Sequence, residues 1–315
     1  MVHKGEHGLE SAREREGGAP EPNHRGTDTP LAELVDRPQT PLYHAQHAGR
    51  YERQRLIEAY EREYDCRLVV MIDAIFAPSI TYFEELIHDA DPSKDLHLII
   101  DSPGGDGETA VRLARSAQAR CRRFTVIVPD QAKSAATILA LGAHAILMGP
   151  TSDLGPVDPQ LQLPTSRQDQ WQIVAAKDLI AAVENAEAAV QAQPETYPLH
   201  ASMLADVTEV MLQQARAALA RTDDLVEQAL RSQPDRSPDE VRDLKEQLRE
   251  PLIDLPKDHR AILGAKDAIE AGLPVTEVDP AGLQWRAIWT LWSKYFVLPV
   301  RVYEGRRASW LLEHN

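Results

Sequence analysis

The chain has 315 residues, 43% hydrophobic and 26% charged, with a formal net charge of −15 at pH 7. That balance is ordinary for a globular enzyme and argues against a nucleic-acid groove, since phosphate binding needs a local surplus of Lys and Arg. Two cysteines, Cys66 and Cys121, with no CxxC pair and no His/Cys cluster at ligand spacing, argue against a disulfide framework or a structural metal, and no cofactor is expected.

Residues 1 to about 40 are rich in Gly, Pro, Glu and Arg without periodicity and read as a disordered tail. The opening "MVHKGEHGLESAREREGG" is charged and lacks the apolar stretch of a secretory signal. The longest apolar run, "AATILALGAHAILMGP", carries a histidine and two glycines and is too short to span a bilayer. The expectation is a soluble, cytoplasmic protein with no direct membrane insertion.

From 41 to 315 one domain is expected. "RYERQRLIEAYEREYD" places Leu56, Ile57, Tyr60 and Tyr64 at helical spacing. Strands are then expected at 67–73, 96–101, 124–129 and 145–149. Helices separate them at "ITYFEELIHDA", "GETAVRLARSAQARC" and "SAATILALGA". Such alternation implies parallel pairing and an α/β core. His97 and His144 fall in or beside strands and read as structural. After Pro164 the pattern turns helical, with helices expected at 168–190, at 199–231 and from the capping box of Ser237 and Glu240. Residues 165–250 thus read as a helical insertion or arm. "AGLPV", a helix carrying Trp285, Trp289 and Trp292 as core or interface, and a strand at "PVRVYE" follow.

One stretch stands out. The strand ending at Asp101 runs into Ser102-Pro103-Gly104-Gly105, at the edge of a parallel sheet where ligands bind. Adjacent glycines leave N–H groups uncovered and permit close approach. The next strand leads to Ser134 at the start of an apolar helix. Ser134 is there either a helix N-cap, worth about 1 kcal/mol, or a nucleophile whose oxyanion is held by the N–H groups of Ala135 and of Gly104 or Gly105.

The strings "SPGG" (Ser102–Gly105), "AKSAAT" (Ala132–Thr137) and "SDLGPVDPQ" (Ser152–Gln160) resemble the serine dehydrogenase proteinase family. Its relatives are signal peptide peptidase A and the Clp protease proteolytic subunit, in the ClpP/crotonase fold. The resemblance extends over about 40 to 310. It implies a spiral of strand–helix units with a helical insertion and a C-terminal helix, and a serine peptidase acting on peptides or unfolded protein. It also implies Ser134 as nucleophile, Gly104, Gly105 and Ala135 as oxyanion donors, and a homo-oligomer. Asp153 stands where the family usually has Glu.

The base stays open. Signal-peptide-peptidase relatives use a lysine tens of residues beyond the serine, and Clp relatives use histidine and aspartate. A lysine base requires that its ordinary pKa of about 10.4 fall toward 7 or 8 by desolvation. Lys177, 43 positions after Ser134 on a mostly apolar helix, is the lysine candidate, or else a side chain snorkelling to solvent. Lys133 is a rival, although neighbours in sequence point apart. His259, with Asp254 or Asp258 to orient it, is the histidine candidate. Ser152 and Asp158 lie in a fixed loop that either shapes the cleft or orients the base. Two other classes share the fold: a crotonase-type thioester enzyme using Glu108 or Asp106, and a non-catalytic oligomeric scaffold.

Overall fold

The computed structural model describes residues 40–164, 171–254, 261–298 and 300–313, which fall into two compact units dividing between His47 and Ala48. All but Thr40 of the stretch read as a disordered tail lies outside the described residues. In the first unit, α1 (Pro41–Gln46) starts at Thr40, whose hydroxyl accepts the Tyr43 N–H at 3.3 Å.

The second unit is organised by strands β1 (Cys66–Ile72), β2 (Asp95–Asp101), β3 (Phe124–Val128) and β5 (Ala145–Met148), all parallel. β9 (Val275–Glu277) extends them in parallel on one side. β10 (Val300–Glu304) and β11 (Ser309–Glu313) extend them antiparallel on the other. The sheet runs β11-β10-β1-β2-β3-β5-β9. Its central strands are almost wholly apolar because both faces are covered. From β1, Val69 and Met71 enter the larger core with helices α3 (Ser79–Ile87), α4 (Gly107–Ala119) and α5 (Ala135–Leu141). Leu68 and Val70 enter the opposite core with α2 (Ala48–Tyr64) and α10 (Leu283–Phe296). The period of two thus divides one strand between two cores. Trp285 and Trp292 are buried in the second core, and Trp289 is exposed.

The arm differs from its expected form in two places. Residues 171–175 are strand rather than helix: β8 (Trp171–Ala175) pairs antiparallel with β7 (Gln160–Pro164), and α6 spans Ala176–Ala192. The β-branched Ile173 and Val174 suit a pleated ribbon. The long helix expected at 199–231 is two, α7 (Tyr197–Met203) and α8 (Glu209–Ser232), because Thr208 caps the second through the Met211 N–H at 3.2 Å. The capping box at Ser237 and Glu240 opens α9 (Pro238–Arg249) as expected. α8 packs Ala215 against Ala176 and Leu179 of α6, then sends Leu225, Val226, Ala229 and Leu230 into the larger core. Just beyond it the Arg236 guanidinium donates to the carbonyls of Leu141 (2.6 Å), Ala143 and Leu230 (both 3.2 Å), fastening the ends of α5 and α8 together.

α2 is tied to β10 by a buried, two-pronged ion pair: Arg53 Nε and Nη2 donate to the Glu304 carboxylate at 2.6 and 3.2 Å. Glu304→Ala leaves the guanidinium buried without its partner and is expected to cost about 3–5 kcal/mol in urea unfolding.

His97 accepts or shares a proton with the Tyr60 hydroxyl at 3.0 Å, and His144 Nδ1 accepts the Phe124 N–H at 3.0 Å; both serve structure. Burial lowers His97 to about 4, so the folded protein resists protonation there. Burial, and then Asp130, raise Asp101 to about 6, against the Trp292 N–H at 3.3 Å. As pH falls from 6.5 to 4 the unfolded chain takes up the His97 proton first, which removes about 3 kcal/mol of stability. Over pH 6 to 4 the folded state binds the Asp101 proton first, which restores a similar amount. Asp101→Asn is therefore expected to lose stability toward pH 4 more steeply than wild type, and His97→Gln less steeply, in unfolding titrations at each pH.

Candidate active site

Beyond the carboxyl ends of the central strands the chain goes on pairing. Ile75 bridges Gly105, Ser102 bridges Ala132, β4 (Gln131–Ala132) pairs with β6 (Asp153–Leu154), and Leu154 bridges Leu263. This short ladder holds the Pro-Gly-Gly turn beside the turn bearing Ser134. Gly104 and Gly105 have φ of +104° and +136°. A Cβ at Gly104 would lie 2.7 Å from the Ser134 Cβ, and one at Gly105 only 2.1 Å from the Ile75 carbonyl oxygen. Glycine is required at both by conformation and by space.

Ser134 stands at the N-terminus of α5 but does not cap it; its side chain makes no capping hydrogen bond. Its backbone has φ 51° and ψ −114°, a conformation that costs a non-glycine residue about 1–3 kcal/mol and that surrounding structure must impose. That structure is visible. The Ser134 N–H donates to the Pro156 carbonyl at 3.1 Å. The buried Thr137 hydroxyl meets the carbonyls of Ala132 (2.7 Å) and Gly155 (2.9 Å), with the Gly155 N–H at 3.2 Å. Thr137 lies inside the AKSAAT string, yet its part in holding the turn is a tertiary fact that sequence reading missed.

The N–H groups divide clearly. That of Gly104 is taken by the Ser102 hydroxyl at 3.1 Å. Those of Gly105 and Ala135 have no protein acceptor among the described residues. Gly105, Ser134 and Ala135 together line a cleft of about 470 Å³. Pro103, Gly107, Ile138, Val157 and Pro159 form part of its wall, and Ala218, Thr222 and Leu225 of α8 close it from the arm. Glu108 and Arg221 also line it and are paired with each other, Arg221 Nε donating at 2.5 Å. Asp106 is committed to capping α4, accepting the N–H groups of Thr109 (3.1 Å) and Glu108 (3.3 Å).

The candidate bases are placed as follows. Lys133 points away from the cleft: its Nζ is paired with Asp153 and donates to the Ala261 carbonyl at 3.3 Å. Asp153 also accepts the Leu263 N–H at 3.0 Å, so the pair ties three segments together. Lys177 is half-buried in the first turn of α6, whose Ala176 N–H donates to the carbonyl of the cleft residue Pro159 at 2.9 Å. Its Nζ donates to the Ile253 carbonyl at 2.8 Å. His259 and Asp258 lie outside the described residues, and Asp254 pairs with Arg249 at 3.2 Å. Ser152 closes a turn between the Gly149 N–H (2.7 Å) and the Val128 carbonyl. Asp158 is buried and accepts from the Gln160 amide at 3.1 Å. Among the described residues no group of His, Cys, Asp or Glu could hold a metal ion, and no helix is long and apolar enough to cross a membrane.

A parallel-cored sheet whose strand ends feed a second ladder carrying these two turns is of the ClpP-like fold class. Residues 84–217, which take in both turns and the start of the arm, match the family of ClpP-like SDH-type serine proteinases. Two uncharacterised proteins of Methanocaldococcus jannaschii are similar. One is 43% identical over 24% of this chain and 26% of its own length; the other is 29% identical over 35% and 42%. The chain thus spans less than half the length of these curated relatives. Among solved structures, a serine-to-alanine mutant of the 1510-N membrane-bound stomatin-specific protease is 22% identical over 39% of this chain and 60% of that one, with a TM-score of 0.28. A lysine-to-alanine mutant of the same protease, in complex with a substrate peptide, is 26% identical over 36% and 57%, with a TM-score of 0.27.

Thr137→Val keeps the shape and removes the hydroxyl; the Gly155 N–H keeps its bond to the Ala132 carbonyl at 3.0 Å, but the buried Gly155 carbonyl loses the hydroxyl it faces. The substitution is expected to cost about 1–3 kcal/mol in denaturant unfolding and to slow covalent labelling of Ser134.

Proposed function

We propose that the protein is a serine-type peptidase that cleaves peptides or unfolded protein through an acyl-enzyme on Ser134. The observation that carries this reading is the pairing of a strained, non-capping serine with two uncommitted N–H groups, Gly105 and Ala135, in one cleft. In this reading the Ser134 Oγ attacks the scissile carbonyl carbon and its proton passes to the Lys177 Nζ. The N–H groups of Gly105 and Ala135 hold the oxyanion, while Gly104 shapes the turn. The amine leaves with the proton from Lys177, and water then releases the acyl group by the same route in reverse.

Support for Lys177 comes from its place in the first turn of α6, joined to the cleft at Pro159, and from the commitment of Lys133 to Asp153. The match to a proteinase family over 84–217 supports the reaction class. A homo-oligomer belongs to the reading through that resemblance, and cytoplasmic placement through the charged N-terminus and the short apolar runs of the sequence.

The test is intact-mass analysis after a fluorophosphonate probe. Wild type is expected to carry one adduct, mapped to Ser134 and absent in Ser134→Ala, with labelling slowed at least about 100-fold in Lys177→Ala. An unchanged rate in Lys177→Ala would move the base elsewhere. No adduct on wild type between pH 6 and 10 would sink the peptidase reading.

A further inference from the structure

The wall that α8 brings to the cleft contains one polar group that the protein does not use. Ala218, Thr222 and Leu225 repeat at helical spacing along the face of α8 turned to the cleft. Thr222 is 94% buried by its 6% exposure, yet its hydroxyl makes no hydrogen bond to the protein among the described residues. A threonine inside a helix usually turns its hydroxyl back to the carbonyl four residues earlier, as Thr290 does to Arg286 at 2.7 Å. Thr222 does not. Nor is its oxygen among the unpartnered side-chain atoms sealed from solvent, so it opens on the space that the residue lines.

Around it the cleft is aliphatic, with Ile138, Val157 and Leu225, and its floor is kept open by Gly107. A Cβ at Gly107 would come within 2.9 Å of Leu225 and 3.4 Å of Ile138. The charged lining is Arg221, paired with Glu108, and Asp106, which caps α4 and leaves the lining with one negative charge in excess. An anionic side chain would therefore find no free cation in that lining among the described residues. An aliphatic one would displace water from the Thr222 hydroxyl and leave it unpaired.

We propose that Thr222 is a specificity-determining residue: the cleft beside Ser134 selects a substrate side chain that is largely aliphatic and tipped with a hydroxyl or amide. The inference rests on the peptidase reading for its consequence in catalysis, but the selection is a property of binding. Leaving a buried hydroxyl unpaired costs enough to favour threonine over valine, or glutamine over methionine, by about tenfold.

The test separates binding from turnover. Fluorescein-labelled peptide amides with a single varied residue (Thr, Val, Gln or Met) in an alanine background are titrated by polarisation against Ser134→Ala protein, alone and combined with Thr222→Val or Thr222→Ser. Thr and Gln peptides are expected to bind about tenfold tighter than Val and Met. The preference should vanish with Thr222→Val and survive with Thr222→Ser, while thermal melting reports that both fold. No preference, one that Thr222→Val leaves intact, a uniform loss across all four peptides, or no binding at all would each overturn the proposal. Fluorophosphonate labelling of the wild-type protein distinguishes the two failures. Labelling without side-chain selection defeats only this inference; selection without labelling defeats the peptidase reading and keeps the binding cleft.

Discussion

The close approach of two backbones governs this structure. The Pro-Gly-Gly turn and the turn at Ser134 sit so near each other that even a methyl group at Gly104 would strike the serine side chain. The proximity follows from the short ladder of Ile75, Ser102, Gly105 and Ala132, which continues pairing after the main strands end. Everything chemical in the cleft depends on that ladder. It leaves the Gly105 N–H outside the hydrogen-bonded network of the described residues, in the cleft that Ala135 at the start of α5 also lines.

Holding such a turn requires bracing, and the bracing is local and polar. Thr137 links the two flanking segments, Pro156 receives the Ser134 N–H, and Lys133 with Asp153 fastens the loop from behind. The strain at Ser134 is then maintained by several bonds that each contribute modestly, rather than by one strong contact. The conformation also keeps the hydroxyl from the capping role that its position at a helix start would otherwise invite.

Much of this was legible in the sequence. Apolar runs of strand length alternating with amphipathic helices gave the α/β core, and paired glycines after a strand marked the turn, because those signals are local. Ser134 and its neighbours were legible as a motif. The arm was not: the five residues of β8 sit against a helical run that masks the strand preference of Ile173 and Val174, which pairing with β7 brings out. β11 was missed because it is short and needs β10 beside it to become a strand. The choice between Gly104 and Gly105 as donor could not be read at all, since it turns on which N–H the Ser102 hydroxyl takes. Thr222 was invisible for a similar reason, being one polar residue in a long amphipathic helix until folding sets it against Ser134's cleft.

α8 resembles a beam supported at both ends. One end rests on α6 and the other is sunk in the main core and fastened by Arg236, while the stretch between them lines the cleft. A small change in packing at either support would therefore be felt at midspan as a change in cleft width. The width of the cleft beside Ser134 can drift through substitutions far from it, made in residues whose evident business is stability.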